Sequence, residues 1–203
     1  CILMQIDALH ELSKGDVTQA ATATADSFTD DPLFRYILGE KCQPEYLRTL
    51  LKYYIKYSVL YGEAYASSAA LDGIVLCARS REYDYSLFKS LRAGSLSLIR
   101  LGSEAGSRFK TYDAYAAEKH EAVISDPHIF IQLLAVAPDQ QGEGHGGSML
   151  SSVVENATEA GYPCYLETHT ERNVSFYRKY GFETASTGEI PGTDITHYCL
   201  LRD

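Results

Sequence analysis

Ile129-Phe130-Ile131-Gln132-Leu133-Leu134-Ala135-Val136 runs through Ala137-Pro138-Asp139-Gln140 into Gln141-Gly142-Glu143-Gly144-His145-Gly146-Gly147. The first block is nearly all apolar and reads as a buried strand. Met149, Leu150, Val153, Val154 and Ala157 follow the glycines at 3,4 spacing, which predicts a helix ended near Gly161. Strand, glycine loop and helix N-terminus in that order make a place for a phosphate. The first amides of a helix have no acceptor within it, and the dipole is positive there. Glycines let the backbone approach a ligand closely and adopt positive φ. A plain glycine-rich turn is the competing structural explanation.

On the C-terminal side, Cys164 to Thr168 reads as a strand and Val174 to Tyr180 as a short helix closed by Gly181. Phe182 to Ala185 and Ile195 to Leu200 read as the last strands. On the N-terminal side, a short strand is expected around Leu3 to Ala8. Val17, Ala20, Ala21, Thr24, Ala25 and Phe28 mark a helix with Asp16 at its N-cap. Asp30-Asp31-Pro32 breaks that helix, and a short helical segment runs to Leu38, ended by Gly39. Leu47, Leu50, Leu51, Tyr54, Ile55, Ser58 and Val59 define another amphipathic helix. Glu63 to Ser67 and Gly73 to Ala78 read as strands around a turn at Leu71-Asp72-Gly73. Arg81 to Val123 reads as two helices broken near Gly102 to Gly106.

Composition narrows the class. The chain has 203 residues, enough for one domain with a full core, and one domain over 1–203 is expected. Apolar residues at 45% and charged residues at 22% exclude a disordered chain, a collagen-like fibre and a coiled-coil rod. The 18 Lys and Arg against 27 Asp and Glu give a net charge of −9, and no basic run occurs. A nucleic-acid partner or an anionic membrane is therefore not expected. No apolar run is long enough to span a bilayer, and Cys1-Ile2-Leu3-Met4-Gln5-Ile6 lacks the length and basic flank of a signal peptide. The five cysteines form no CxxC pair and no zinc spacing. They are expected to be reduced, mostly buried thiols in a cytoplasmic protein that holds no metal. No GxSxG elbow supports a serine triad.

Two phosphate-bearing ligands compete for the glycine loop. Gly142, Gly144 and Gly147 match GxGxxG, and Glu167 lies where a ribose-binding acid belongs in an NAD(P)-binding protein. Against this, Ala137 to Gln141 intervene between strand and first glycine, and residues 148–203 are too few for two mononucleotide-binding halves.

The other reading fits the spacing. Val136-Ala137-Pro138 followed by Gln141-x-x-Gly144-x-Gly146 resembles the acyl-CoA motif of the GNAT superfamily of N-acetyltransferases. A second block also matches: Tyr165-Leu166-Glu167-Thr168, then Arg172-Asn173-Val174-Ser175-Phe176-Tyr177-Arg178-Lys179-Tyr180-Gly181-Phe182. Within the superfamily the chain looks most like the puromycin N-acetyltransferase branch, with Phe28-Thr29-Asp30-Asp31-Pro32 and Glu189-Ile190-Pro191-Gly192 included in the likeness. The resemblance implies an α/β (α+β) fold: a central mixed, largely antiparallel, twisted sheet flanked by helices, with a helical insert at about 81–123 before the cofactor-binding strand.

It also implies acetyl-CoA as cosubstrate and a primary amine of a small molecule as acceptor, joined by direct attack in a ternary complex. Leu134, Ala135 and Val136 would meet the pantetheine arm. Gln141, Gly142, Glu143, Gly144, His145 and Gly146 would hold the pyrophosphate. Tyr177 would be the general acid, also touching the cofactor. Asn173 stands four residues before Tyr177, whereas the commoner family spelling has Asn at the place of Thr170. Glu167 and His169 share one face of their strand, and either can serve as base. Glu167 is counted with Tyr177 among the catalytic residues, and a sheet hydrogen bond for Glu167 and a solvated loop place for His169 are the competing structural explanations, while His128 and His197 read as strand-end residues. Tyr180 is expected to face the core beside Phe182. Asp30, Asp31 and Glu167 are expected around the acceptor cleft. A non-catalytic acyl-CoA sensor is the alternative from another class. Monomer and homodimer both remain open.

Overall fold

The computed structural model describes residues 6–80 and 86–203. Its strands are β1 (His10–Glu11), β2 (Glu63–Ala66), β3 (Gly73–Arg79), β4 (Ile129–Val136), β5 (Cys164–Thr168), β6 (Glu183–Glu189) and β7 (Thr196–Arg202). They form one seven-stranded sheet in the order β1-β2-β3-β4-β5-β7-β6. β4 and β5 pair in parallel and all other neighbours are antiparallel. This is the mixed, largely antiparallel sheet flanked by helices that the sequence implies.

The helices are α1 (Val17–Thr24), α2 (Pro32–Leu38), α3 (Pro44–Tyr61), α4 (Leu87–Ala93), α5 (Ser103–Val123), α6 (His145–Glu159) and α7 (Glu171–Arg178). Alternation along the strands divides the core. Ile74 and Leu76 of β3 pack with α1, α2 and α3 on one face, while Val75 and Cys77 pack with α6 and α7 on the other. On β4, Ile129 and Ile131 face α6, yet so do Leu134 and Val136. The change of parity has a cause. Leu76 opposes Leu133 and Cys77 opposes Ile131, so Gln132 is an extra residue, a β-bulge.

Three local expectations are met only in part. Residues 3–5 of the expected first strand lie outside the described residues. From Ile6 the chain makes a turn, closed by Leu9 N–H on Ile6 O at 2.9 Å, and strand pairing begins only at His10. Asp16 stands at the N-cap of α1, but its side chain makes no capping bond. Its carboxylate is held by Ser13 N and Oγ at 2.8 and 2.6 Å. The break in the insert falls at Gly102, with φ 91°, while Gly106 lies inside α5.

Between β3 and β4 the insert runs α4, a 3-10 stretch over Ser95–Leu101, then α5. α5 is anchored at both ends. Arg108 donates to Tyr36 O at its start, and near its end His120 stacks on Tyr165 with centroids 4.0 Å apart. Along its length it buries only Ala105 and Ala116, and so roofs a cavity rather than closing on the sheet.

Candidate active site

β4 pairs with β5 only through Ile129, Ile131 and Phe130 between them, against Cys164, Leu166 and Tyr165. Beyond that the two parallel strands part. β4 remains paired to β3 as far as Val136. Ala137 N–H then donates to Asp72 O at 2.7 Å on the β3 side. Amide direction alternates along a strand, so Leu134 and Val136 point their N–H groups to the open side. Ala135 points its own toward β3. Of the three residues expected to meet a pantetheine arm, two therefore have amides turned to the gap.

The loop after β4 fits a phosphate. Gly142 and Gly144 have φ of 93° and 89°, and a Cβ on either would meet nothing within 4 Å. The first intrahelical bond of α6 is Ser148 N–H to Gly144 O, which leaves the amides of His145, Gly146 and Gly147 without helical acceptors. The loop does not act as one unit, however. Gln141 is exposed, and its amide donates to Val136 O at 3.2 Å, closing the loop on the strand. Glu143 is exposed, which keeps its charge in water. Gly146 has ordinary φ and sits against Val136 and Phe176. Gly147 is buried under Tyr180, whose hydroxyl a Cβ there would strike. The third glycine of the GxGxxG match thus serves helix packing.

A cavity of about 540 Å³ lies where β4 and β5 part, and its walls come from both faces of the sheet. Tyr177 and Asn173 reach it from α7, Asp31 from the start of α2, Tyr112 and Asp113 from α5, and Glu167 from β5. Glu167 is almost fully enclosed. Tyr165 donates to its Oε1 at 2.8 Å and Tyr112 to its Oε2 at 3.2 Å. Burial outweighs these bonds and pushes its carboxyl up to about 7. A carboxyl that titrates there is suited to accept a proton at neutral pH.

His197 is fully buried. Its Nε2 lies 3.8 Å from Glu167 Oε1 with no hydrogen-bond partner, and its Nδ1 lies 3.1 Å from His169 Nε2. Burial holds His197 down to about 4 and His169 down to about 3, so both rings are neutral and no ion pair forms with Glu167.

Tyr177 is 9% exposed and lines the cavity. Burial, and secondarily the charge of Asp31, raises its hydroxyl well above the usual phenol range, so it stays protonated. Its ring packs at 5.9 Å from Phe182, the place expected for Tyr180. Tyr180 instead packs on Phe176 at 5.1 Å and on Gly147. Thr170 caps α7 by accepting from Asn173 N–H, and the Asn173 side chain donates to Thr168 Oγ1 at 3.1 Å.

Asp31 caps α2 through Leu33 and Phe34 N–H and lines the cavity. Asp30 does not. It is exposed and paired with Arg35 at 2.6 Å. Gln141 to Gly146, Ala135 and Val136 lie outside the cavity wall, whereas Leu134, Glu167, Asn173 and Tyr177 are on it. His169 and His128 line it as well and are not solvated.

The sequence reading missed Tyr165, Tyr112, Asp113 and His197. Tyr165 was within reach, because it shares a strand face with Glu167 two residues on. Tyr112 and Asp113 come from an insert whose sequence carries no motif. Cys42, Cys77, Cys164 and Cys199 are free and buried, while Cys1 lies outside the described residues. Among the described residues no cluster of three His, Cys, Asp or Glu is placed to hold a metal, and no helix is long and apolar enough to cross a membrane.

Comparison with known proteins bears on the fold. Residues 108–184 match the family model described as an acetyltransferase (GNAT) domain. A Corynebacterium glutamicum protein described as histone acetyltransferase HPA2 and related acetyltransferase is similar in structure, with TM-score 0.63, 18% identity and 96% of each chain covered. An N-acetyltransferase of Staphylococcus aureus gives TM-score 0.55 at 14% identity, over 95% of this chain and 98% of that one. The C-terminal condensation domain of Ebony, in complex with β-alanyl-dopamine, gives TM-score 0.65 at 9% identity, over 96% and 97%. The chain has the fold of the GNAT acetyltransferases, and its residues 108–184 match the domain of that superfamily.

Proposed function

We propose that this chain is an acetyl-CoA-dependent N-acetyltransferase acting on a primary amine of a small molecule. The observation that carries the reading is Glu167, a carboxyl pushed up to about 7 on the wall of a cavity that it shares with the hydroxyl-bearing Tyr177. The puromycin-like resemblance supports an antibiotic-like or metabolite amine.

In this reading acetyl-CoA is held by the open edge of β4 at Leu134 and Val136 and by the loop Gln141 to Gly146. Asn173 orders the start of α7 beside it. The acceptor enters as an ammonium ion, drawn by the cavity's carboxylates. Glu167 takes its proton, and the neutral nitrogen attacks the thioester carbonyl carbon. The Val136 amide faces the gap and can donate to the developing oxyanion. As the carbon–sulfur bond breaks, Tyr177 gives its proton to the departing sulfur, and the proton that the now cationic nitrogen sheds restores the phenol and leaves a neutral amide.

The test is thiol release from acetyl-CoA across a panel of primary amines. Amine-dependent release with a matching N-acetyl product supports the reading. Acetyl-CoA binding with no release for any amine would replace it with the acyl-CoA sensor.

A further inference from the structure

A second cavity of about 260 Å³ lies behind the first, between α2, α3 and the insert. Its wall is almost wholly apolar: Ile37, Leu50, Leu98, Leu101, Ala105 and Phe109 supply most of it. Tyr54, Phe109 and Asp113 line both cavities, so the two adjoin through a shared wall. The space exists because the insert faces it with small residues. Ser90, Ala105 and Gly106 stand where larger side chains would fill it.

Gly106 and Asp113 on its edge are exposed, so the cavity opens to solvent and its apolar lining forgoes protein contacts on that side. An apolar cavity of roughly 150 Å³ accommodates a benzene ring, so this one has room for a ring and a short linker. The polar groups on its wall say what it does not bind. Tyr53 donates to Ser90 Oγ at 3.2 Å and is thereby satisfied. Asp113, at the shared wall, has no hydrogen-bond or ion-pair partner among the described residues. It lies close enough to Glu167 for the two charges to interact.

We propose that this chamber takes the apolar arm of the acceptor, so that the preferred substrate is an arylalkyl or branched-alkyl amine. Its amine sits at Glu167, its arm passes Tyr54 and Phe109, and Asp113 favours its positive charge on the way. This rests on the acetyltransferase reading for the identity of the ligand as an acceptor. The chamber itself is tested by binding.

Calorimetric titration of the whole protein with 4-phenylbutylamine and with ethylamine reads the chamber without turnover. The phenylalkylamine should bind at least about tenfold more tightly, as burying several carbons requires. Gly106→Leu should plug the chamber. The residue is helical, and a Cβ there meets nothing within 4 Å, so the variant should fold. It should lose the preference for the phenylalkylamine and leave ethylamine binding unchanged. Ala105→Leu, from the neighbouring position, is the second plug and should do the same. Equal affinity of the wild-type protein for the two amines, or unchanged preference in both plugged variants, overturns the proposal. Tight, plug-sensitive binding without acetylation would count against the acetyltransferase reading and leave the chamber intact.

Discussion

Glu167 carries opposite demands in the folded chain. Burial raises its carboxyl to about 7 from an ordinary 4.5, with two phenols holding it in place. The proposed mechanism uses the ionised form, so kcat/KM for the amine should rise as pH passes about 7 and level off above. Glu167→Gln should lose that acidic limb and cost about 10²–10⁴-fold in kcat. Stability runs the other way. Between the two pKa values the native state binds more protons than the unfolded chain, so the stabilising effect of the bound proton is full below about 4.5 and lost as pH rises through about 7. Thermal unfolding at pH 5 and pH 8 should therefore show wild type losing about 2 kcal/mol more than Glu167→Gln across that interval. Tyr177 is a cleaner subject for rate. Tyr177→Phe keeps the ring contacts with Phe176 and Phe182 and removes the hydroxyl that the proposed mechanism uses as proton donor. It should lower kcat at least about tenfold while acetyl-CoA affinity changes little. Tyr180→Phe should leave the rate near wild type, because that hydroxyl sits over Gly147, outside the cavity.

The loop and the first turn of α6 show how one glycine-rich run divides its tasks. Gly144 needs its left-handed backbone, which costs another residue about 1–3 kcal/mol. Gly144→Val should weaken acetyl-CoA binding at least about tenfold by titration, with circular dichroism unchanged. Gly146 needs no special backbone, and a methyl there would make ordinary contacts at 3.4 Å, so Gly146→Ala should bind nearly as wild type. Gly147→Ala should instead lower the melting temperature by displacing Tyr180. Tyr180→Phe should restore part of the loss, since the hydroxyl is the nearest obstacle. The sequence made β4, β5 and the loop legible because their signals are local: an unbroken apolar run, a Pro, and glycines at fixed offsets. It did not show the bulge at Gln132, which depends on the register of two strands far apart in the chain. The period-2 rule alone would send Leu134 and Val136 to the opposite face from the one they occupy.

At the scale of the whole molecule, the site depends on elements that only the fold brings together. Asp31 lies before α2, Asp113 on the insert and Glu167 on β5, yet the three line one cavity. The alternating strands and helices of the C-terminal third were readable, and with them Glu167 and Tyr177. The insert's contribution was not, because its Tyr, Ala and Ser residues gain meaning only from where α5 is anchored. The assembled cavity has a clear electrical character. Glu121 joins the three carboxylates, and no Lys or Arg lines the wall among the described residues. Its histidines do not compensate: burial lowers His120 to about 4 and His169 to about 3, and it lowers His128 as well. The net charge of −9 adds to the field from outside. Such a site concentrates cations, and dissolved salt screens that attraction over roughly 10 Å at 0.1 M. With acetyl-CoA saturating, kcat/KM for a primary amine should therefore fall roughly two- to fivefold between about 20 and about 300 mM sodium chloride. The inhibition constant of the matching alcohol, uncharged and of the same shape, should stay constant over that range. Parallel salt dependence for amine and alcohol would mean that salt acts on the fold or on acetyl-CoA. A salt-independent amine would mean that the carboxylates of this cavity do not select its ligand by charge.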